Sequence, residues 1–383
     1  MSTPRPSHVA GGCWPTPLQE RLLDVLVGPE DRVASAFARW RAEADLDALD
    51  TSSFKLLPLL YRRLTAADIY DPALPRLKGV YRHAWARNQL LLRAAAGVIR
   101  ALEADGIPTL TLKGASLATL WYGDLGARPM ADVDVLVRPA DAPRATARLA
   151  ALGWTPRFPP ESVLNDAYHG LDHRDPRDNA IDLHWYVGPD AAGPGADDEE
   201  WTAATPFTLM GAPTRALAPT DLLMHVIVHG LRWSPVAPIR WVADAMQLFR
   251  AGAPIDWDRV ARRGASRALG LTLERGLDYL ARRFGAPVPP ETLAALRDLH
   301  VPRWERVEYA LKTRSRYASV LGPLALLWLR HRRVVPHLGP VRRTLDFPRF
   351  ARERLRARSW VDVSRGLAFQ LRRQLDNRRS PER

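Results

Sequence analysis

Cysteine and lysine are scarce in this 383-residue chain, and each shortage narrows its chemistry. The one cysteine, Cys13, excludes a disulfide within the chain and fits a reducing compartment. Four of the 55 basic residues are lysine, so arginine carries nearly all of the positive charge. A lysine beside a candidate site is therefore mildly informative, and Lys113 is such a residue.

Long apolar runs are also missing. No stretch reaches the ~18 apolar residues that suggest a transmembrane helix, and the polar, proline-rich start has no apolar segment of a signal peptide. We therefore expect a cytoplasmic protein without a transmembrane segment. The length allows a sizeable core and about two or three domains.

The positive charge is concentrated near the C-terminal end of the sequence. The net charge is +13, and residues 301–383 hold 21 basic against 7 acidic residues. The rest of the chain is close to neutral. Bulk charge is therefore no argument that a site elsewhere in the chain reads nucleic acid.

The periodicity of apolar residues changes twice along the chain, from helical to mixed and back to helical. Strand and helix signals alternate irregularly in the middle, which indicates an α+β fold: a mixed sheet with helices, flanked by N-terminal and C-terminal helical regions. The predicted divisions are a disordered leader (1–17), an N-terminal helical region (18–105), a core with the sheet (106–200), a C-terminal helical domain (201–300) and a basic, arginine-rich helical tail (301–383).

Two aspartates mark the predicted strand at 132–137. Asp132 and Asp134 are two apart, so their side chains share one face. Two converging carboxylates repel each other unless a cation lies between them, and they suit Mg²⁺ or Mn²⁺. Upstream, Lys113 and Gly114 lie between a predicted strand (107–112) and a helix (115–122), a junction that offers backbone N–H groups to phosphate. A nucleoside triphosphate is thus the expected substrate.

A third carboxylate comes from a predicted hairpin, with strands at 171–174 and 180–187 around a turn at 175–179. Asp182 and His184 share one face of its second strand. If that strand lies beside the 132–137 strand, Asp182 completes a metal site with Asp132 and Asp134 and could accept a proton as a general base.

These motifs together resemble the bacterial uncharacterised nucleotidyltransferase family of the DNA polymerase beta superfamily. The resemblance covers about residues 53–263. It rests on L-K-G, R-P-x-x-D-V-D-V-L-V, I-D-L-H-W, H-x-x-x-H-G-L-R-W, R-W-V-A-D-A and I-D-W-D-R-V.

The resemblance implies a nucleotidyltransferase core and metal-dependent transfer of a nucleotidyl group to a small-molecule or peptide acceptor. It matches Gly114 to the phosphate loop, and Asp132, Asp134 and Asp182 to the metal-binding carboxylates. The sequence departs from the superfamily pattern in two respects. Ala115 follows the glycine, so that Ser116, the candidate for a nucleotide contact, comes one place later, and the spacing from Gly114 to Asp132 is longer than is usual in the superfamily.

Several other residues are candidates for the same site, each with a structural alternative. Lys113 and Arg128 could bind phosphate, or Lys113 could pair with an aspartate and Arg128 could brace the loop. His184 is either a hydrogen-bonded neighbour or a metal ligand. The set predicted to line an acceptor cleft, or else to be structural, is His184, His225, His229 and Asp244.

The basic tail leaves three interpretations open. Residues 320–329 are apolar and arginines follow them, which fits a helix in the plane of a membrane surface. The same pattern fits a polyanion-binding or partner-docking arm, or an arginine-rich helix packed on the protein. Two alternatives to a nucleotidyltransferase with a small-molecule or peptide acceptor stay open. One is a nucleotidyltransferase that modifies tRNA or protein and docks through the tail, and the other is a nucleotide-binding subunit without catalytic activity.

Overall fold

The computed structural model describes residues 11–190, 192–193, 195–314, 322–357, 359 and 361–362. Parts of the predicted leader and of the basic tail, including residue 320 at the start of the apolar segment, lie outside these residues. Within the described residues, no helix is long and apolar enough to cross a membrane.

The N-terminal region is helical, as predicted. Helix α1 begins with a capping box, in which the Thr16 side chain accepts from the Gln19 N–H and the Gln19 side chain accepts from the Thr16 N–H. The helices of this region are α1 (Pro17–Val27), α2 (Val33–Arg41), α3 (Thr51–Phe54), α4 (Leu57–Ala66) and α5 (Leu74–Ala104).

The described part of the predicted leader is ordered, which corrects the expectation of disorder for residues 11–16. Gly12 and Ser234 exchange backbone hydrogen bonds of 3.0 and 3.1 Å. The Trp14 ring packs 5.0 Å from the ring of Tyr279. Composition predicted disorder because proline and glycine dominate this segment locally, whereas its partners are more than 200 residues away in sequence.

A seven-stranded mixed sheet forms the centre of the described chain, in the order β3-β4-β5-β2-β1-β7-β6. The central strand β2 runs parallel to β5 and antiparallel to β1. The strands are β1 (Leu110–Thr111), β2 (Val133–Leu136), β3 (Thr155–Pro156), β4 (Gly170–Arg174), β5 (Ala180–His184), β6 (Thr205–Leu209) and β7 (Ala212–Ala216). The α+β prediction is confirmed, and β4 and β5 form the expected hairpin.

The sheet continues beyond residue 200, where the sequence predicted only helices. Strands β6 and β7 pair antiparallel, and β7 pairs in parallel with β1. Met210 and Gly211 both have positive φ, as in a two-residue hairpin turn. Pro206 and Pro213 weakened the strand signal, because proline cannot donate to a ladder. The boundary between the sheet and the helical region therefore lies after Ala216.

Eleven further α-helices surround or follow the sheet in the described residues. They are α6 (Lys113–Ser116), α7 (Ala142–Ala151), α8 (Asp198–Ala203), α9 (Pro219–Gly230), α10 (Arg240–Arg250), α11 (Trp257–Ser266), α12 (Gly270–Phe284), α13 (Pro290–Asp298), α14 (Arg303–Thr313), α15 (Gly322–Val334) and α16 (Pro340–Leu355). A five-residue π-helical segment, Leu117–Trp121, continues α6.

The described part of the tail packs against the body of the protein. Val334 of α15 and Phe350 of α16 are buried in the same hydrophobic cluster as Val135 of β2 and Ile181 of β5. A second cluster joins the N-terminal helices to α9, α10 and α12. Helices α15 and α16 thus favour the packed interpretation of the tail over a free arm.

Candidate functional site

Two aspartates meet on adjacent strands at the centre of the sheet. Because β2 and β5 are parallel and in register, Asp134 stands directly opposite Asp182. His184 lies one pleat further along β5 on the same face. Ligand atoms of these three side chains lie within 4.8 Å of one another, a grouping that could hold a metal ion. Asp134 is only 4% exposed.

Asp132 lies just before β2, outside this three-residue group. Burial and the Asp134 carboxylate raise the pKa of Asp132, so the two charges interact. The predicted carboxylate trio therefore becomes an Asp134–Asp182–His184 cluster with Asp132 beside it. For His184 the sequence left open a role as a hydrogen-bonded neighbour or as a metal ligand, and the structure places it within hydrogen-bonding distance of Asp182.

His184 is held in one orientation by bonds at both ring nitrogens. Its Nδ1 lies 3.2 Å from the Tyr186 carbonyl oxygen and donates to it, since a carbonyl can only accept. Its Nε2 lies 2.9 Å from Asp182 Oδ2 and 3.4 Å from Asp134 Oδ1. Burial favours the neutral ring, but the two carboxylates outweigh it and raise the pKa of His184 to about 10. When it is protonated, the ring bridges the two carboxylates. When it is neutral, its Nε2 is available as a third ligand, beside the two carboxylates, for a cation.

Lys113 reaches the same cluster from the other side of β2. As the first residue of α6, directly after β1 and Leu112, it places Nζ 3.1 Å from Asp134 Oδ1. Burial would raise the pKa of Asp134, but Lys113 and His184 hold it well below its usual range. The structure thus shows the aspartate pairing foreseen for Lys113. Gly114, next to it, is buried, and a Cβ at this position would lie 3.5 Å from Met130 Sδ and 3.7 Å from Arg128 Nη1.

Ser116 does not reach the cluster. Its side chain is 0% exposed, and its hydroxyl donates to the Leu112 carbonyl oxygen at 2.7 Å. This bond lies within the first turn of the helix. The Ser116 hydroxyl is therefore engaged with the backbone, and Ser116 does not line the cleft to which Lys113 contributes.

We expect Ser116→Ala to leave triphosphate affinity unchanged while lowering the free energy of unfolding by about 1 kcal/mol, the cost of one buried hydrogen bond. Lys113→Met is the matched comparison, because its side chain lines the cleft. Calorimetric titration with a triphosphate and urea unfolding measure the two effects. Equal loss of affinity in both variants would contradict the structural role of Ser116.

Arg128 forms a buried ion pair with Asp244 of α10. Its Nε and Nη2 donate to the two Asp244 oxygens, each at 2.8 Å, and the Tyr122 hydroxyl donates to the same carboxylate at 3.0 Å. Arg240 donates instead to the Pro129 carbonyl oxygen. Arg128 therefore has the structural role that the sequence left open, that of bracing the loop. Asp244 is its partner in this ion pair and, contrary to the prediction, does not line the cleft. Position in the sequence could not reveal this, since the partners are 116 residues apart.

A cleft with an empty volume of about 890 Å³ opens beside the cluster. Lys113, Asp134, Asp182 and His184 line it together with His225 and His229 of α9. The two α9 rings stack, with centroids 6.0 Å apart and planes 10° apart. Burial and Lys113 lower the pKa of both, that of His225 to about 3, so both are neutral. Both histidines thus line a cleft, the position expected for them from the sequence.

The comparisons with known proteins bear on this arrangement. The model of a family described as uncharacterised nucleotidyltransferase matches residues 52–285, which is more than half of the chain. The chain belongs to this nucleotidyltransferase family. The match includes every strand of the nucleotidyltransferase sheet and ends directly after α12. The family description leaves the acceptor open.

One solved structure is similar to part of this chain. It is the crystal structure of an antigenic nucleotidyltransferase-like protein from Paracoccidioides brasiliensis, with 15% identity over 54% of this chain and 92% of that chain. Its TM-score of 0.35 is too low to support an argument about the site. No curated protein matches the chain.

The structure also places residues in the cleft that sequence reasoning missed. His169, directly before β4, packs its ring 5.3 Å from that of His184, and Asp190 and Arg232 line the cleft further out. His169 lies outside any strand periodicity. No sequence signal distinguishes it from a loop residue.

Proposed function

We propose that this protein transfers a nucleotidyl group from a nucleoside triphosphate to a hydroxyl or phosphate of an acceptor, with a divalent metal ion. The supporting observation is the in-register pairing of Asp134 with Asp182 beside Lys113. Transfer of a phosphoryl-type group is catalysed mostly by positioning the reactants and by neutralising their charge. Two carboxylates beside a lysine, at the wall of an open cleft, suit that task.

The donor set fits a divalent cation. Asp134 and Asp182 offer hard oxygen ligands, Asp132 lies beside them, and the Nε2 of His184 faces the same point. Carboxylates alone suit Mg²⁺, and an added imidazole is compatible with Mn²⁺. Bound there, Mg²⁺ or Mn²⁺ would neutralise charge that develops on the transferred phosphoryl group.

The protein side chains would divide the remaining work. Lys113, with Gly114 next to it, would bind the triphosphate oxygens as a point charge, and its ammonium group would then interact with both Asp134 and the triphosphate. Asp182 would accept the proton of the acceptor hydroxyl, and His184 would orient that carboxylate. The P–O bond to the leaving pyrophosphate breaks as the acceptor oxygen attacks in line. The acceptor would lie in the cleft beside His225 and His229.

The double variant Asp132→Ala with Asp134→Ala tests the metal and nucleotide part of this proposal. Calorimetric titration with each of the four nucleoside triphosphates should show binding to the unchanged protein that strengthens with Mg²⁺, and no Mg²⁺ dependence in the variant. Transfer to the acceptor should disappear as well. Mg²⁺-stimulated binding that survives both changes would exclude these aspartates as the metal site.

The fold restricts how docking through the basic tail can be tested. Deleting 320–383 would remove Val334 and Phe350 from the buried cluster, so loss of function would be ambiguous. A chain ending at residue 362 keeps the described helices and removes six arginines. A steep salt dependence of tRNA or anionic-vesicle binding that vanishes in this chain would favour docking through the tail.

A further inference from the structure

A second cleft, of about 1190 Å³ empty volume, adjoins the first. The two share Pro189, Asp190 and Arg232 in their walls, so they form one continuous groove. Its other walls include Arg330 of α15 and Arg354 of α16, which lie outside the span that matches the family. The basic tail thus supplies one side of the groove.

The positive charge of this second cleft is only partly compensated by carboxylates. Asp190 is already shared between Arg232 at 3.0 Å and Lys312, and Glu308 is bound by Lys312 and Arg333. Over the described residues, no carboxylate forms an ion pair with Arg330 or Arg354. The guanidinium of Arg354 instead lies 4.5 Å from the centre of the Tyr168 ring.

Arg330 is the most exceptional of these residues. Its Nε is buried and has no hydrogen-bond partner among the described residues, while its Nη2 donates to His169 Nδ1 at 3.3 Å. Burial and the nearby Arg354 lower the pKa of Arg330 to about 9, the direction expected where positive charge is crowded. A buried cationic donor without a partner is costly, and an anion would relieve that cost.

The arginines of the second cleft lie on a different side of the carboxylates from the proposed triphosphate site. Lys113 approaches Asp134 from the β1 side of β2, whereas His169 approaches His184 from the β4 side of β5. His169 links Arg330 to His184, which in turn bonds Asp182, the proposed proton acceptor. An anion held by Arg330 would therefore lie on the acceptor side of the carboxylates.

We propose that Arg330 and Arg354, together with Arg232, bind a phosphate group carried by the acceptor. The inference rests on the proposed transfer reaction and narrows its acceptor to phosphorylated molecules. Guanidinium groups suit this ligand because their planar donors bind phosphate oxygens in pairs. The tail then contributes to substrate recognition, because its arginines at the second cleft bind a phosphate group of the acceptor.

Inorganic phosphate is the probe for the test, titrated by calorimetry into the full chain without metal. Arg330→Gln and Arg354→Gln should each weaken phosphate binding about tenfold, the loss expected for one charged hydrogen-bonding group. Arg349→Gln is the matched control, because Arg349 is on the same helix as Arg354, is 79% exposed and pairs with Glu353. It should leave the affinity unchanged. If Arg330→Gln does not fold, as thermal unfolding will show, Arg354→Gln decides.

Competition separates the acceptor from the triphosphate as the source of the phosphate. Phosphate affinity should persist when a non-hydrolysable nucleoside triphosphate with Mg²⁺ saturates the protein. Displacement by that analogue, equal weakening in Arg349→Gln, or no phosphate binding would each overturn the proposal. The Asp132→Ala, Asp134→Ala protein should still bind phosphate. Triphosphate binding that survives in that variant would then refute the proposed metal site without touching the phosphate subsite.

Discussion

Asp182→Asn should reduce nucleotidyl transfer by about a thousandfold, with a much smaller loss, about tenfold, in affinity for the metal–triphosphate complex, because one charged oxygen ligand becomes neutral. The asparagine keeps the size of the side chain and can still bond His184, so the site should stay assembled. What it loses is the negative charge and the capacity to take a proton from the acceptor. The measurement pairs initial transfer rates with calorimetric titration of the triphosphate.

Asp172→Asn is the control for that experiment. Asp172 stands opposite Asp182 in the register of β4 and β5, but its side chain is 44% exposed, pairs with Arg157 and does not line the cleft. Its replacement should leave both the rate and the affinity unchanged. Transfer that persists in Asp182→Asn would favour a metal site without a proton-accepting carboxylate. Triphosphate binding without any transfer in the unchanged protein would favour the non-catalytic subunit.

Asp244→Ala should lower the free energy of unfolding by about 3–5 kcal/mol, because it leaves the buried Arg128 guanidinium without its carboxylate. Both partners are almost fully buried, and the Tyr122 hydroxyl loses its acceptor at the same time. The brace joins α10 to the segment that leads into β2. Any folded fraction should therefore also bind the triphosphate less tightly. Urea unfolding followed by tryptophan fluorescence measures the stability change.

Glu353→Ala gives the matched comparison for the ion pair. Its partner Arg349 is 79% exposed, and solvent-exposed pairs contribute roughly 0–1 kcal/mol. The contrast between the two variants isolates burial as the cause. Similar small losses in both would mean that water reaches Arg128 when Asp244 is removed, and that the pair does not brace the site.

The sequence predicted the parts of the site that depend on local periodicity. The alternation around Asp134 and Asp182 placed both on strand faces, and the turn residues between β4 and β5 predicted the hairpin. It could not predict that β5 lies in parallel register with β2, because that pairing joins segments 48 residues apart. The burial of Ser116 and the engagement of Asp244 also depend on packing between distant elements.

The β6–β7 hairpin and the path of the tail escaped prediction for related reasons. Prolines hide the strands of the hairpin, while its Met210–Gly211 turn was the available signal. In the tail, many arginines obscured the apolar positions, among them Val334 and Phe350, that pack against the sheet. Charge indicates solubility and partners, but burial is decided by a few apolar residues at the right spacing.

The insertion of Val334 and Phe350 into the sheet cluster means that the cooperative folding unit is larger than the segment that matches the family. A fragment cut at residue 285 would contain every strand of the described sheet and the carboxylates of the candidate site, yet it would expose apolar surface that α15 and α16 now cover. The segment that matches the family and the minimal stable domain therefore have different limits. In this protein, the helices that complete the fold also carry arginines to the rim of the cleft.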